Sequence, residues 1–120
     1  MARILFVDDD FFTLETYEKI ISLYGHQALL ADSSAQALKL AVEQSPDFII
    51  LDMRLPDMDG FELLRELRSN PATSEIPAAM ISASPDVYAK HAKAAGAQYY
   101  LSKPIHTEKL LEIIEQNTSE

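Results

Sequence analysis

Five side chains in this 120-residue chain have the type and position to do chemistry together: Asp8, Asp9, Asp52, Ser82 and Lys103. Each stands at the end of a short apolar run. Ile4-Leu5-Phe6-Val7 stops at Asp8-Asp9-Asp10, and Phe48-Ile49-Ile50-Leu51 stops at Asp52. Ala78-Ala79-Met80-Ile81 stops at Ser82, and Tyr99-Tyr100-Leu101 ends two residues before Lys103. Taken singly, each Asp reads as a cap or turn residue, Ser82 as a loop hydroxyl and Lys103 as a solvated lysine. Brought together, they set a harder problem. Two carboxylates about 5 Å apart repel by roughly 3 kcal/mol at an effective dielectric near 20. Three of them need a counter-charge or a protonation shift. Oxygen ligands without His or Cys select a hard cation, and a small site that keeps several waters suits Mg2+ better than Ca2+. A cation, an ammonium and a hydroxyl in one place suit an incoming phosphoryl group. A carboxylate can accept that group as a covalent nucleophile. Asp52, at the end of the clearest buried strand, is the best placed.

The elements that must position these residues follow from two alternating periodicities. The apolar runs are short and continuous, which predicts strands buried on both faces, with a further strand over Gln27 to Ala31. Between them, apolar residues recur at helical spacing. Leu14, Tyr17, Ile21 and Tyr24 form one stripe, with Asp10 as N-cap and Gly25 ending the helix in a left-handed conformation. Ser33 or Ser34 caps a helix carrying Ala37, Leu38, Ala41 and Val42, which stops before Pro46. Met53 to Asp59 reads as a loop, and a helix from about Gly60 to Arg68 carries Phe61, Leu64 and Leu67 until Ser69-Asn70-Pro71 breaks it. Pro85 suits the first turn of a fourth helix, which Gly96 ends. A last helix from about Thr107 turns Leu110, Leu111 and Ile114 inward.

Five strands alternating with five helices predict a parallel sheet covered on both faces, with right-handed crossovers. In such sheets ligands bind beyond the carboxyl ends of the strands. The five chemical residues therefore converge on one rim, while Asp32 lies too far toward the edge. Asp57 and Asp59 are expected to serve turn geometry and the N-terminus of the following helix. His26, His91 and His106 are spaced too widely to pair and read as surface residues. The basic spot Lys90, His91, Lys93 and the acidic Glu108, Glu112, Glu115 read as solvated helix faces.

Composition narrows the function class. The length suits one domain over residues 1–120. A hydrophobic fraction of 48% with 24% charged residues argues against disorder. No apolar run has the length of a membrane helix, and the N-terminus lacks the pattern of a signal peptide. With no Cys there is no disulfide, thiolate site or cysteine nucleophile. Ten Lys and Arg against nineteen Asp and Glu give a net charge of −9, which argues against binding to nucleic acid or an anionic membrane. Three glycines leave little for a nucleotide cradle.

Val7-Asp8-Asp9, the stretch from Ile49 to Gly60 around Asp52, Ile81-Ser82-Ala83, and Gly96-Ala97 leading to Tyr100-Leu101-Ser102-Lys103-Pro104 together resemble a response-regulator receiver domain of two-component signalling. The resemblance covers essentially the whole chain. It implies a flavodoxin-like, doubly wound α/β fold with a five-stranded parallel sheet of order 2-1-3-4-5 and five helices. It implies a cytoplasmic phosphoprotein in which Asp52 accepts phosphate from a histidine kinase or a histidine phosphotransfer protein. Asp8, Asp9, Asp52 and the backbone carbonyl of Arg54 would bind Mg2+, with Mn2+ as a substitute. Ser82 and Lys103 would contact the phosphoryl oxygens, the Lys103-Pro104 bond would be cis, and Tyr100 would swing inward as the Ser82 switch moves. Arg54 and Ser84 sit at positions that tune phosphate lifetime. The face of the fourth helix, fifth strand and fifth helix would meet an output protein or an effector domain, and is the candidate homodimer surface. Ile105 departs from the Phe frequent after Lys-Pro.

Such a domain is a switch with self-phosphorylation and autodephosphorylation only, not a metabolic enzyme. Two rivals compete with it. An aspartyl phosphohydrolase would want a carboxylate where Arg54 stands, and a cap domain for which the chain has no room. A degenerate receiver acting as an unphosphorylated binding module would not need the intact set of five. A flavin-binding flavodoxin is poorer still, because Asp8-Asp9-Asp10 replaces a phosphate cradle.

Overall fold

The computed structural model describes residues 2–83 and 85–118. Its elements alternate along the chain: β1 (Arg3–Val7), α1 (Phe11–Ser22), β2 (Gln27–Ala31), α2 (Ser34–Gln44), β3 (Phe48–Asp52), α3 (Gly60–Ser69), β4 (Ala78–Ser82), α4 (Pro85–Ala95), β5 (Tyr99–Ser102) and α5 (Thr107–Thr118). The strands pair in parallel in the order β2-β1-β3-β4-β5, the order that the resemblance implies.

Because side chains alternate along a strand, each run feeds two layers. Leu5, Val7, Ile49, Leu51, Ala78 and Met80 pack with Ala37 and Ala41 of α2, the leucines of α3, and Ala92 and Ala95 of α4. Ile4, Phe6, Phe48, Ile50, Ala79 and Ile81 face the other way, against Leu14, Tyr17 and Ile21 of α1 and Leu110, Ile113 and Ile114 of α5. The same period of two carries on to the strand ends. Asp8 follows Val7 and Asp52 follows Leu51, so both carboxylates fall on the α1 and α5 side of the sheet.

Caps start the helices where the sequence places them. The Asp10 carboxylate accepts from the Phe12 N–H at 3.0 Å, and the Ser33 hydroxyl from the Gln36 N–H at 3.2 Å. Asp59 accepts from Glu62 N–H at 2.9 Å, as expected of the residue before α3. Asp57 behaves differently. Its two oxygens accept from the N–H groups of Ser34 and Ala35 at 3.0 and 3.1 Å, so it caps α2, the preceding helix, because the 53–59 loop folds back over it.

Three expected core positions move outward. Tyr24 is 59% exposed because α1 ends at Ser22, and Val42 is 43% exposed. One residue past Ala41 turns a side chain about 100° around the helix, off the sheet. On α5, Ile113 is buried with Leu110 and Ile114, while Leu111 is only half-buried.

Gly60 is not a passive loop residue. It opens α3, is buried, and donates its N–H to the Met53 carbonyl at 2.6 Å. A Cβ there would lie 2.6 Å from the Asp52 carbonyl oxygen and 2.9 Å from Met53 Cα. Only glycine lets α3 begin against the strand end that carries Asp52. Gly60→Ala is therefore expected to cost about 1–3 kcal/mol through overpacking of backbone, read as a lower denaturant midpoint at unchanged slope. A midpoint equal to that of the native chain would show that α3 does not need this close approach.

Candidate functional site

The strand ends bring Asp8, Asp9, Asp52 and Lys103 together and leave Ser82 buried at the end of the neighbouring strand β4. Asp8, Asp52 and Ser82 are 1%, 6% and 3% exposed, whereas Asp9 faces solvent. One carboxylate oxygen from each of Asp8, Asp9 and Asp52 lies within 4.8 Å of the others. Lys103 arrives from the far side of the sheet. Ser102 pairs with Ser82, the Lys103 N–H donates to the Ser82 carbonyl at 2.9 Å, and the Lys103-Pro104 bond is cis. Lys103 Nζ then reaches Asp52 Oδ2 at 2.6 Å and Asp8 Oδ2 at 3.5 Å.

The remaining oxygens are unevenly served. Asp8 Oδ1 accepts from the Asp10 N–H at 2.9 Å, and Asp52 Oδ1 from the Arg54 N–H at 3.2 Å. Asp8 Oδ2 is buried and accepts no hydrogen bond. Burial pushes the Asp8 carboxyl above its usual range. The Asp10 N–H and Lys103 pull it back, and the charges of Asp52 and Asp9 add to the rise. Burial also works against the Lys103 ammonium, but the Asp52 and Asp8 carboxylates outweigh it and hold the group above its ordinary value.

Three carboxylates balanced by one ammonium leave an excess of negative charge in a partly desolvated place, which is expensive. The donor set is entirely oxygen, it includes a buried carboxylate oxygen without a donor, and its ligand atoms are close enough to share one ion. These residues fit a small hard divalent cation. The Arg54 backbone is held at this rim by its bridge to Asp59. Among the described residues, Asp8, Asp9 and Asp52 are the group of three able to hold a metal.

Tyr100 sits half-buried, packed against the α2, α3 and α4 layer, with its hydroxyl 4.0 Å from Met53 Sδ. Ser84 lies outside the described residues. The histidines stay apart from the cluster: His26 Nδ1 accepts from the Ala2 N–H at 3.0 Å, His91 and His106 are exposed, and the His91 ring lies 6.0 Å from that of Phe61. Sequence patterning does not reveal Gly60 as a contact of the Asp52 strand end, nor Asp57 as a clamp between the loop and α2. A positional signal for Gly60 existed only in its place immediately after the helix cap Asp59.

Comparison with known proteins agrees with this geometry. The family model for the response regulator receiver domain matches residues 4–115. Protein PilH of Pseudomonas aeruginosa is 34% identical over 115 residues, spanning 95% of each chain. Response regulator MprA of Mycobacterium sp. is 37% identical over 111 residues, 92% of this chain. This chain spans about half the length of that relative, 47%. Among solved structures, the Vibrio cholerae chemotaxis protein CheY4 superposes with a TM-score of 0.90 at 28% identity over 98% of both chains. The receiver domain of a Pseudomonas aeruginosa sensor histidine kinase, which has a magnesium ion coordinated in its active site cleft, gives 0.90 at 27% identity over 99% of this chain and 98% of that one. Strand order, the carboxylate cluster and the match over residues 4–115 all lead to one assignment: the chain belongs to the response regulator receiver domain family.

Proposed function

We propose that residues 1–120 form one phosphorylatable receiver, a cytoplasmic phosphorelay switch whose acceptor is Asp52. The observation that carries this reading is the contact of Lys103 Nζ with Asp52 Oδ2 at 2.6 Å, beside a buried Asp8 oxygen with no hydrogen-bond donor. An ammonium placed on the acceptor can follow the charge as it passes from carboxylate to phosphoryl oxygens.

In this reading a carboxylate oxygen of Asp52 attacks the phosphorus of a phosphohistidine on a histidine kinase or a histidine phosphotransfer protein. The new O–P bond makes an acyl phosphate while the N–P bond breaks, and its electron pair stays on the imidazole. Lys103 and the Ser82 hydroxyl bind the transferred oxygens. Asp8, Asp9, Asp52 and the Arg54 carbonyl would hold Mg2+, or Mn2+ in its place, which supplies positive charge to the phosphoryl oxygens when bound. Hydrolysis of the acyl phosphate resets the chain, and Arg54 and Ser84 are the positions that would tune its rate.

The output is a change of surface. Phosphorylation adds about −1.5 to −2 charges, and new bonds draw Ser82 and Lys103 toward the phosphate. Tyr100, packed beside Met53 two strands away, then rearranges and alters the face of α4, β5 and α5. That face would meet an output protein, an effector domain or a second copy of the chain. The net charge of −9 argues that nucleic acid is not the direct partner of this domain.

Incubation with acetyl phosphate and Mg2+ should add one phosphoryl group by intact mass, and Asp52→Asn should add none. An equal adduct on that variant would sink the assignment of the acceptor. Lys103→Ala should slow adduct formation about 10²–10³-fold, the usual loss for one charge-stabilising group.

Millimolar Mg2+ should raise the melting temperature of the native chain, because only the folded cluster binds it. Asp8→Asn should remove this gain. The raised Asp8 carboxyl is less stable charged in the fold than in the unfolded chain, so stability falls as pH climbs through its raised value. The neutral isostere should therefore melt higher than the native chain without metal at neutral pH, by roughly 4–8 °C for each kcal/mol relieved. A lower metal-free melting temperature would mean that the ion pair with Lys103 outweighs the cost of burying the charge.

A further inference from the structure

Tyr17 occupies a place in the buried stripe of α1 that an aliphatic residue would fill, and it brings a hydroxyl with it. The residue is 8% exposed, and its ring stacks on Phe6 with centroids 4.8 Å apart and planes 19° apart. Its hydroxyl has no protein partner among the described residues and is not one of the fully buried unpaired atoms. The ring is buried while the O–H stays within reach of water, an arrangement suited to a side chain with one apolar and one polar end.

Two directions locate that hydroxyl. Phe6 precedes Asp8 by two residues on the same face of β1, about 7 Å away along the strand. α1 starts at the strand ends, immediately after Asp8-Asp9-Asp10, and runs away from them. Tyr17 is six residues past Phe11, so its backbone lies about 9 Å down the axis. Side chains on a helix lean back toward its N-terminus, which carries the ring across Phe6 and toward the floor of the carboxylate cluster. The electrostatics agree. Burial first, then the Asp8 charge, push the Tyr17 phenol up to about 12, with Lys103 opposing and Asp52 adding to the rise. The phenol feels three of the four charged groups of the site, Asp8, Asp52 and Lys103.

The face thus holds a phenol with no protein acceptor, its O–H within reach of water, and, in Asp8 Oδ2, a buried acceptor without a donor. Lys103 compensates Asp8 at 3.5 Å but bonds Asp52 at 2.6 Å. We propose that Tyr17 is a positioning residue for Asp8: its phenolic O–H donates to Asp8 Oδ2 once Lys103 is drawn off that oxygen, fixing the carboxylate's orientation for a divalent cation. The inference deepens the reading of the cluster as a cation and phosphoryl site and rests on it. Removing an outer partner of a metal-binding carboxylate weakens the site without touching the ligands themselves.

Tyr17→Phe keeps the ring on Phe6 and deletes one oxygen. Its metal-free melting temperature should stay within about 4 °C of the native chain. Its dissociation constant for Mg2+, measured by calorimetry, should rise about tenfold. In the native protein with tyrosine labelled at Cζ, the Tyr17 resonance, assigned through its contact with Phe6, should shift on adding Mg2+ as the phenol gains an acceptor. Equal Mg2+ affinity in the two proteins, or a Tyr17 resonance that Mg2+ leaves in place, overturns the role of Tyr17 and leaves the cation site standing. Should the variant fold poorly, the resonance of the native chain decides alone. Mg2+ binding to neither protein would remove the cation site and this role together.

Discussion

The contact between Lys103 and the two buried carboxylates is the constraint around which the rest of the chain is arranged. A carboxylate that is nearly out of water carries a desolvation cost, and a second one beside it adds repulsion. Lys103 offsets part of this by bonding Asp52 directly and facing Asp8. One ammonium cannot balance three carboxylates. The cluster is therefore left short of positive charge, and that shortage makes it receptive to a cation and to a group that brings its own cation. Stability is given up at this rim so that binding can restore it.

Holding such a cluster requires rigid supports, and these come from the sheet and the caps. β1 and β3 are neighbours in the sheet, with Val7 paired to Leu51, which sets Asp8 and Asp52 side by side on one face. β4 and β5 pair with Ser82 opposite Ser102, so the lysine that follows is aimed back over the strand ends. The loop after Asp52 is tied at both sides, by Asp57 to the start of α2 and by Asp59 to the start of α3. Gly60 then allows α3 to begin in contact with the Asp52 backbone. Acidic residues outside the site thus do structural work at helix N-termini, where negative charge is favoured.

Most of the element order was legible because short apolar runs and 3.6-residue stripes are strong local signals, and because Asp10, Ser33, Pro85, Gly25 and Gly96 mark helix ends by chemistry that is itself local. The site residues were legible for a related reason: each stands where an apolar run stops. Misplacements arose where a side chain's fate depends on another element. Val42 and Leu111 lie at the margins of their stripes, and Ile113 replaces Leu111 in the α5 contact with the sheet. Asp57 reads locally as a turn residue, yet its partners lie 22 and 23 residues earlier. Tyr17 reads as one more apolar position, and nothing local reveals that its ring stacks on Phe6 of β1.

The amino-acid sequence by itself determined the alternation of strands and helices, the excess of acid, and the set of three carboxylates, one hydroxyl and one ammonium at strand ends. Local propensity and hydrophobic period are properties of neighbouring residues, so they survive without the fold. Tertiary structure alone decided which carboxylate oxygen receives Lys103, which is left without a donor, and which is open to solvent. Those are consequences of distances between strands far apart in sequence, and a desolvation cost has no value until the surrounding elements have removed the water.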